Sequence, residues 1–216
     1  MLKNNNWNKI WKKNTFFSDY NPTINILNFY RHHLINIKKS SKILDCGCGN
    51  GKNFIFLKKK GYNIIASDTS KSIINKIRKK YPKYKKKIYL GDIRDLNFKE
   101  KSFDAIISEA SLYYQSKKDM FETVNKFYEL LKPGALLRVY TKSIEDSFFK
   151  KFKNKRSVEY KIQKNHWEKN LLLTFLNLKD VKNLFKKFKN VKIGKDEFNF
   201  IDYKKKHSFW IITAIK

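Results

Sequence analysis

From residue 42 to residue 140 the chain alternates short branched apolar runs with stretches whose apolar positions recur every three or four residues. That rhythm belongs to strand–helix–strand units and predicts an α/β fold around a parallel sheet. The first five strands fall at residues 42–45, 63–68, 87–90, 103–108 and 135–140. Between them run a helix through Phe54, Ile55 and Leu57, closed by Gly61, and a second capped by Ser70 with Ile73, Ile74, Ile77 and Tyr81 on one face. A third spans 119–131 and stops at Lys132-Pro133-Gly134. Ahead of these, Ile24, Leu27, Tyr30, Leu34 and Ile37 step by three or four, so residues 1–40 read as a helical arm. Residues 144–170 are rich in lysine and aromatics without a clean period and read as an inserted helix or loop. Asn177 caps a helix through Leu178, Val181, Leu184, Phe185 and Phe188. Two strands near 191–200 and 207–215 then form an antiparallel hairpin. Neither a repeat nor a linker interrupts the chain, which predicts one domain over 1–216.

With 216 residues, 41% of them hydrophobic and 16% aromatic, the chain can bury a core and is not a disordered tail. Cys46 and Cys48 sit one residue apart, too close to staple distant segments. A lone C-x-C lacks the other two ligands of a tetrahedral site, so small buried fillers are expected there and no metal. No apolar run approaches the ~20 residues that span a bilayer, and the first six residues offer no signal core, so a soluble cytoplasmic protein without membrane contact is expected.

Forty-nine basic residues against nineteen acidic give +30, which suggests nucleic acid. Along the chain the excess is even: +6 over residues 1–40, +12 over 41–140 and +12 over 141–216. Only five of the cations are arginine, the side chain best shaped for bidentate recognition of phosphates and bases. Lysine also rises together with asparagine and isoleucine, which share A/T-rich codons. Compositional drift is therefore favoured over a nucleic-acid partner.

The chemistry gathers at Asp45-Cys46-Gly47-Cys48-Gly49-Asn50-Gly51, a glycine turn between a strand and a helix. Ligands of open α/β sheets bind at such carboxyl ends. A dinucleotide fingerprint would need glycine or alanine where Lys52 stands, and a phosphate-binding loop would end in G-K-[ST]. Asp45 would repel a pyrophosphate and suit a ligand carrying an ammonium and a sulfonium. Asp68, 17 residues after Gly51, can accept ribose hydroxyls, and Asp92 of Gly91-Asp92-Ile93 can receive an adenine amino group while Ile93 packs on the ring. Three carboxylates at three successive strand ends favour a nucleoside ligand over simple strand-end caps.

With Phe103-Asp104 followed by Ser108, and Leu131-Lys132-Pro133-Gly134-Ala135, this set resembles the class I S-adenosylmethionine (SAM)-dependent methyltransferases, especially small single-domain ones acting on small molecules. The resemblance is close over 40–140 and looser beyond. It implies a Rossmann-like three-layer sandwich with a seven-stranded, mostly parallel sheet whose last strand is antiparallel. It also implies that Asp45, Cys46, Gly47, Gly49 and Gly51 hold the methionine end of SAM, Asp68 and Thr69 the ribose, and Asp92 and Ile93 the adenine, with S-adenosylhomocysteine as product. Ser108 would line the far side of the methionine pocket. In similar enzymes an N-terminal arm covers the cofactor, which here nominates Trp11 as lid and Arg31 as a grip on the methionine carboxylate; packing and solvation are the plain alternatives. Glu109 and Tyr114 follow the fourth strand, where the methyl group meets the acceptor, so Glu109 could orient or deprotonate a nucleophile or merely cap a helix. His33, His166 and His207 are further candidate bases. Residues 144–170 would shape the acceptor pocket. Methyl transfer rests on positioning and exclusion of water, and a dedicated base is optional. Ser108-Glu109-Ala110-Ser111 is unlike the Asn/Asp-Pro-Pro-aromatic motif of adenine-N6 and glutamine methylators. Transfer to oxygen, nitrogen or sulfur of a small molecule is the leading expectation, ahead of an RNA methyltransferase using the basic surface and of a SAM-binding module without catalysis.

Overall fold

Five strands run parallel through the middle of the protein: β1 (Lys42–Cys46), β2 (Asn63–Asp68), β3 (Ile88–Leu90), β4 (Phe103–Glu109) and β5 (Leu131–Lys142), with β1, β2 and β4 the most completely buried. The computed structural model describes residues 5–13, 21–149, 156, 158–162, 170–199 and 206–216. Strands β8 (Lys189–Asn199) and β9 (Lys206–Ile215) complete a seven-stranded sheet in the order β3-β2-β1-β4-β5-β9-β8. The last strand, β9, is antiparallel to both neighbours, as the resemblance implies.

Helices cover both faces and make the three layers. Ile43, Ile64, Ala66, Ala105 and Ile107 pack under α2 (Ile24–His32), α3 (Lys52–Lys59) and α4 (Lys71–Lys80). Leu44, Ile65, Ile106, Leu137 and Val139 pack under α5 (Lys117–Leu130) and α6 (Leu178–Leu184). The expected caps close: Ser70 Oγ accepts from Ile73 N–H and Asn177 Oδ1 from Asp180 N–H.

Three expectations change. The arm is two helices, α1 (Asn5–Lys13) and α2, followed by a 3-10 turn at Leu34–Asn36. The buried side of α2 is Asn25, Ile26 and Phe29, while Ile24 is 64% exposed. Helix α5 ends one residue early, and β5 begins at once; a register shift against β4 absorbs Lys132-Pro133-Gly134, with Gly134 at φ +76. Within 144–170, the described part includes a strand, β6 (Val158–Lys161), paired antiparallel with β7 (Leu172–Phe175) in a second sheet. The basic run after α4 is a 3-10 turn, Pro82–Lys87.

Charge that is even along the chain is uneven in space. Helices α3 with its C-cap, α4 and the Pro82–Lys87 turn lie together on one flank with thirteen lysines or arginines and no acid. On the opposite face, α5 and α6 carry five cations and four acids. Among the described residues no helix is long and apolar enough to cross a membrane.

Candidate functional site

Strand β1 delivers Asp45 to the carboxyl edge, and the chain then turns through three left-handed glycines, Gly47 (φ +75), Gly49 (φ +50) and Gly51 (φ +79), before α3 begins at Lys52. Side chains other than glycine rarely adopt that backbone, which is why the turn reads so clearly in sequence. Gly47 and Cys48 N–H both donate to Ser67 O of β2 at 2.8 and 3.0 Å. Asp68 fastens the loop: its carboxylate accepts from Gly49 N–H at 3.0 Å and Ser70 N–H at 2.9 Å. Burial raises the Asp68 pKa, and the N–H groups of Ser70, Gly49 and Thr69 oppose that rise.

A residue that pattern reading passed over closes the far side. Ser111 Oγ bonds Cys46 O at 3.1 Å and Ser108 Oγ at 2.9 Å, and its Cβ sits where a Gly47 side chain would be. It opens the 3-10 turn Leu112–Tyr114 that carries the ring of Tyr114. Tyr114 meets Trp7 edge-on at 4.7 Å, and Trp7 stacks with Trp11 at 6.2 Å. Trp11 lies over the turn, 3.5 Å from where a Gly49 side chain would begin. Helix α1 is held there by Asn8, whose side-chain Oδ1 accepts from Ser70 Oγ and Ser72 N–H, both at 3.0 Å, and by Lys76 Nζ on Trp11 O.

Asp92 stands after β3 with its carboxylate on Arg94, at 3.0 Å to Nε and 2.7 Å to an outer nitrogen, and Arg94 also meets Asp119 and Glu122. Ile93 is buried in the core beside Asp92. Burial pushes up the pKa of both cysteine thiols, so they sit as neutral packing groups.

Arg31 is not at the turn. Helix α2 starts beside the carboxyl ends, where Asn25 bonds Asp196, and is followed by Leu34, whose carbonyl takes Tyr62 O–H at the amino end of β2. Arg31 is exposed in its last turn, far down the flank. His33 and His207 are both held neutral-leaning by burial and by cations, Arg138 for the first and Lys142 for the second. His207 joins Lys142 on the buried Asp146, which also accepts from Phe148 and Ser208 N–H, so this cluster ties β5 to β9. His166 lies outside the described residues.

Glu109 caps no helix. It is buried at the end of β4, on the α2–α3 face, with Arg138 Nε 3.6 Å from Oε1, beyond hydrogen-bond length. Burial pushes its pKa up to about 7, with Arg138 and Lys52 opposing and Asp45 adding to the rise. Asp45 is likewise pushed up to about 7, first by burial and then by Asp68; Phe54 N–H and Lys52 oppose. Both acids titrate near 4 in an unfolded chain. The folded protein thus holds these protons more tightly, so their contribution is full below about pH 4 and is lost as pH rises towards 7. The melting temperature of Glu109→Gln should fall less than that of wild type between pH 5 and pH 8; equal falls would show that Glu109 does not titrate in this window.

Three carboxylates at three strand ends, a left-handed glycine cradle and an unpartnered buried Asp45 Oδ2 suit a cationic nucleoside ligand. Beyond the cradle, over the carboxyl ends of β4 and β5 and the amino end of β9, Tyr113, Tyr140, Phe149, Phe175 and Phe209 form a third apolar cluster, joined by Trp7, Tyr114 and Tyr160.

Comparison with known proteins agrees with this arrangement. Residues 43–134 match a family model described as a methyltransferase domain. The chain is 28% identical over 139 residues to the sterol 24-C-methyltransferase of Candida albicans, an alignment covering 61% of this chain and 36% of that protein. It spans less than half the length of the curated relatives it matches. A SAM-dependent methyltransferase structure from Methanosarcina mazei superposes with TM-score 0.69 at 20% identity, over 91% of this chain and 99% of that one. The 1,6-didemethyltoxoflavin-N1-methyltransferase of Burkholderia thailandensis, solved with its substrate and S-adenosylhomocysteine, gives TM-score 0.65 at 14% identity, over 96% and 80%.

Proposed function

We propose that this chain is a class I SAM-dependent methyltransferase that transfers a methyl group to oxygen, nitrogen or sulfur of a small acceptor held among the aromatic side chains at the carboxyl ends of β4 and β5 and the amino end of β9. The observation that carries the reading is the direct abutment of that aromatic cluster on the glycine turn, through Tyr114, Trp7 and Trp11. Asp68 and Thr69 hold the ribose, Asp92 and Ile93 the adenine edge, and Gly47, Gly49, Gly51 and Cys46 give the backbone that cradles the amino-acid end. Ser108 and its partner Ser111 fix the floor between turn and acceptor. When bound, SAM supplies a methyl group on a sulfonium, which needs a positioned nucleophile and little else. Helix α1 and the β6–β7 sheet, within the segment 144–170 and its neighbour, exclude water from that meeting point. Tyr114 stands among the acceptor-side rings and is the side chain assigned to acceptor contact.

Relatives bearing the same fold are named for small acceptors: a toxoflavin precursor, phosphoethanolamine and a sterol. An acceptor space bounded by the chain's own rings suits such molecules better than a polymer. The spatial polarisation of lysine favours a second reading, in which the basic flank carries RNA. One experiment separates them: titration with S-adenosylhomocysteine, then an acceptor screen at 50 and 200 mM salt. Micromolar binding with salt-insensitive turnover of a small acceptor is expected. Turnover only on RNA, lost by orders of magnitude over that salt range, would replace the first reading with the second.

A further inference from the structure

Helix α1 has two sides. Trp7, Ile10 and Trp11 turn inward to the apolar clusters and the glycine turn, while Asn8, Lys9 and Lys12 stand on the side towards α4. Helix α4 meets them with Lys71, Ser72 and Asn75, on the side away from its buried Ile73, Ile74 and Ile77. These six residues line a cleft of about 440 Å³, within the roughly 300–1,000 Å³ of small-molecule sites. The lining holds three cations and no acid, and among the described residues none of the three ammonium groups pairs with a carboxylate. Asp68, the nearest acid along the chain, has its carboxylate turned to Gly49 and Ser70 N–H. The floor of the cleft is polar and already satisfied. Asn8 Oδ1 accepts from Ser70 Oγ and Ser72 N–H, and Asn8 O accepts from Ser72 Oγ at 3.2 Å. The lysines are therefore what the cleft offers a ligand.

We propose that this cleft binds a small anion carrying two or more linked phosphates, which fastens α1, the helix that lays Trp11 over the glycine turn, to α4. A cleft lined by one sign of charge focuses its field on the opposite sign, and lysines pair with phosphate oxygens as point charges. One phosphate group carries about −1.5 to −2 charge at pH 7, short of three cations, so two linked phosphates match the lining better. A nucleic-acid strand would instead run along the whole flank, Lys83, Lys85 and Lys86 included. Lys9 and Lys12 come from α1 and Lys71 from α4, so a bound anion bridges the two helices. Without it, like charges on the two helices oppose their contact. Anion and cofactor thus favour the same closed arm and raise each other's affinity by the same factor. That coupling, unlike the anion site itself, rests on the SAM reading above.

Calorimetric titration with pyrophosphate, first without any nucleoside, tests the site. Wild-type protein should bind it one-to-one. The triple variant Lys9→Gln, Lys12→Gln, Lys71→Gln should bind it about tenfold more weakly or worse. A triple of equal charge, Lys83→Gln, Lys85→Gln, Lys86→Gln, should stay within about twofold of wild type. All six lysines are exposed, so neither triple disturbs the core. Inorganic phosphate should bind wild type about tenfold more weakly than pyrophosphate; equal affinity would overturn the linked-phosphate assignment. No one-to-one binding, or equal losses in the two triples, would overturn the site, the second result being that of diffuse polyanion attraction to the basic flank. Titration with S-adenosylhomocysteine then tests the coupling. Saturating pyrophosphate should tighten it about fivefold or more in wild type and leave the cleft triple within about twofold. The same response in both proteins would overturn the fastening of α1. Wild-type protein that binds pyrophosphate but no S-adenosylhomocysteine would refute the cofactor reading and leave the anion site standing.

Discussion

Asp68→Ala is expected to lower affinity for S-adenosylhomocysteine by roughly 100-fold or more, a larger loss than any other single carboxylate should give. The reason is that Asp68 does two things at once. It presents a carboxylate where ribose hydroxyls would lie, and it holds the loop that forms the cradle, through Gly49 N–H at 3.0 Å and Ser70 N–H at 2.9 Å. Hydrogen bonds to a charged acceptor contribute about 1.5–3 kcal/mol each, and tenfold in affinity is about 1.4 kcal/mol. Losing one ligand contact and one clamp on the turn therefore accounts for two decades. Asp68→Asn keeps one acceptor oxygen and gives up the charge, so it should fall between alanine and wild type. Calorimetric titration checks both variants. An alanine variant within about threefold of wild type would mean that the ribose is held elsewhere and that Asp68 is only a loop clamp.

Much of this site was legible because buried parallel strands leave few choices. Ile64-Ile65-Ala66 and Ala105-Ile106-Ile107 are short apolar runs at the heart of their strands, and each gives way at the strand end to polar groups, Ser67-Asp68 and Ser108-Glu109, that cannot stay buried without a purpose. The arm was harder. Its apolar stripe from Ile24 to Ile37 crosses His33, where α2 gives way to a 3-10 turn, and the helical phase restarts there. A stripe read across that break picks Ile24 and Leu27, whereas the buried side is Ile26 and Phe29. Periodicity also carries no direction in space, so it could not show that α2 descends away from the turn and takes Arg31 with it. Strand β6, Val-Glu-Tyr-Lys, alternates over four residues only, too few to stand out from its surroundings, and its pairing with Leu-Leu-Thr-Phe is what makes it a strand. The basic flank was invisible for a topological reason. Sheet order reverses between β1 and β4, so the helices after β1 and β2 fall on one face and the helix after β4 on the other. Segments of similar net charge along the chain thus become one basic face and one mixed face.

Gly47→Ala is expected to cost roughly 2–5 kcal/mol of stability, and the two parts of that cost can be separated. Gly47 sits at φ +75, where a side-chain-bearing residue pays about 1–2 kcal/mol in backbone strain. A Cβ there would also lie 2.5 Å from Ser111 Oγ and closer still to its Cβ, under the 3.0 Å that real Cβ atoms keep. Overpacking of that kind costs typically 1–3 kcal/mol. Ser111 cannot simply rotate aside, because its Oγ is bonded to Cys46 O and Ser108 Oγ and its backbone opens the turn carrying Tyr113 and Tyr114. Ser111→Gly in the Gly47→Ala background should therefore recover the steric part and leave the strain. Urea unfolding of both singles and the double gives the coupling directly, and a coupling of about 1 kcal/mol or more in the rescuing direction is expected. Strictly additive losses would mean that Ser111 yields to the new methyl group without cost. Gly49 provides the contrast: an alanine there meets Trp11 at an ordinary 3.5 Å, so at φ +50 it carries strain alone. Gly47 is thus required by the chain's own Ser111, which links the cofactor turn to the acceptor-side aromatics, while Gly49 is the glycine that faces the lid.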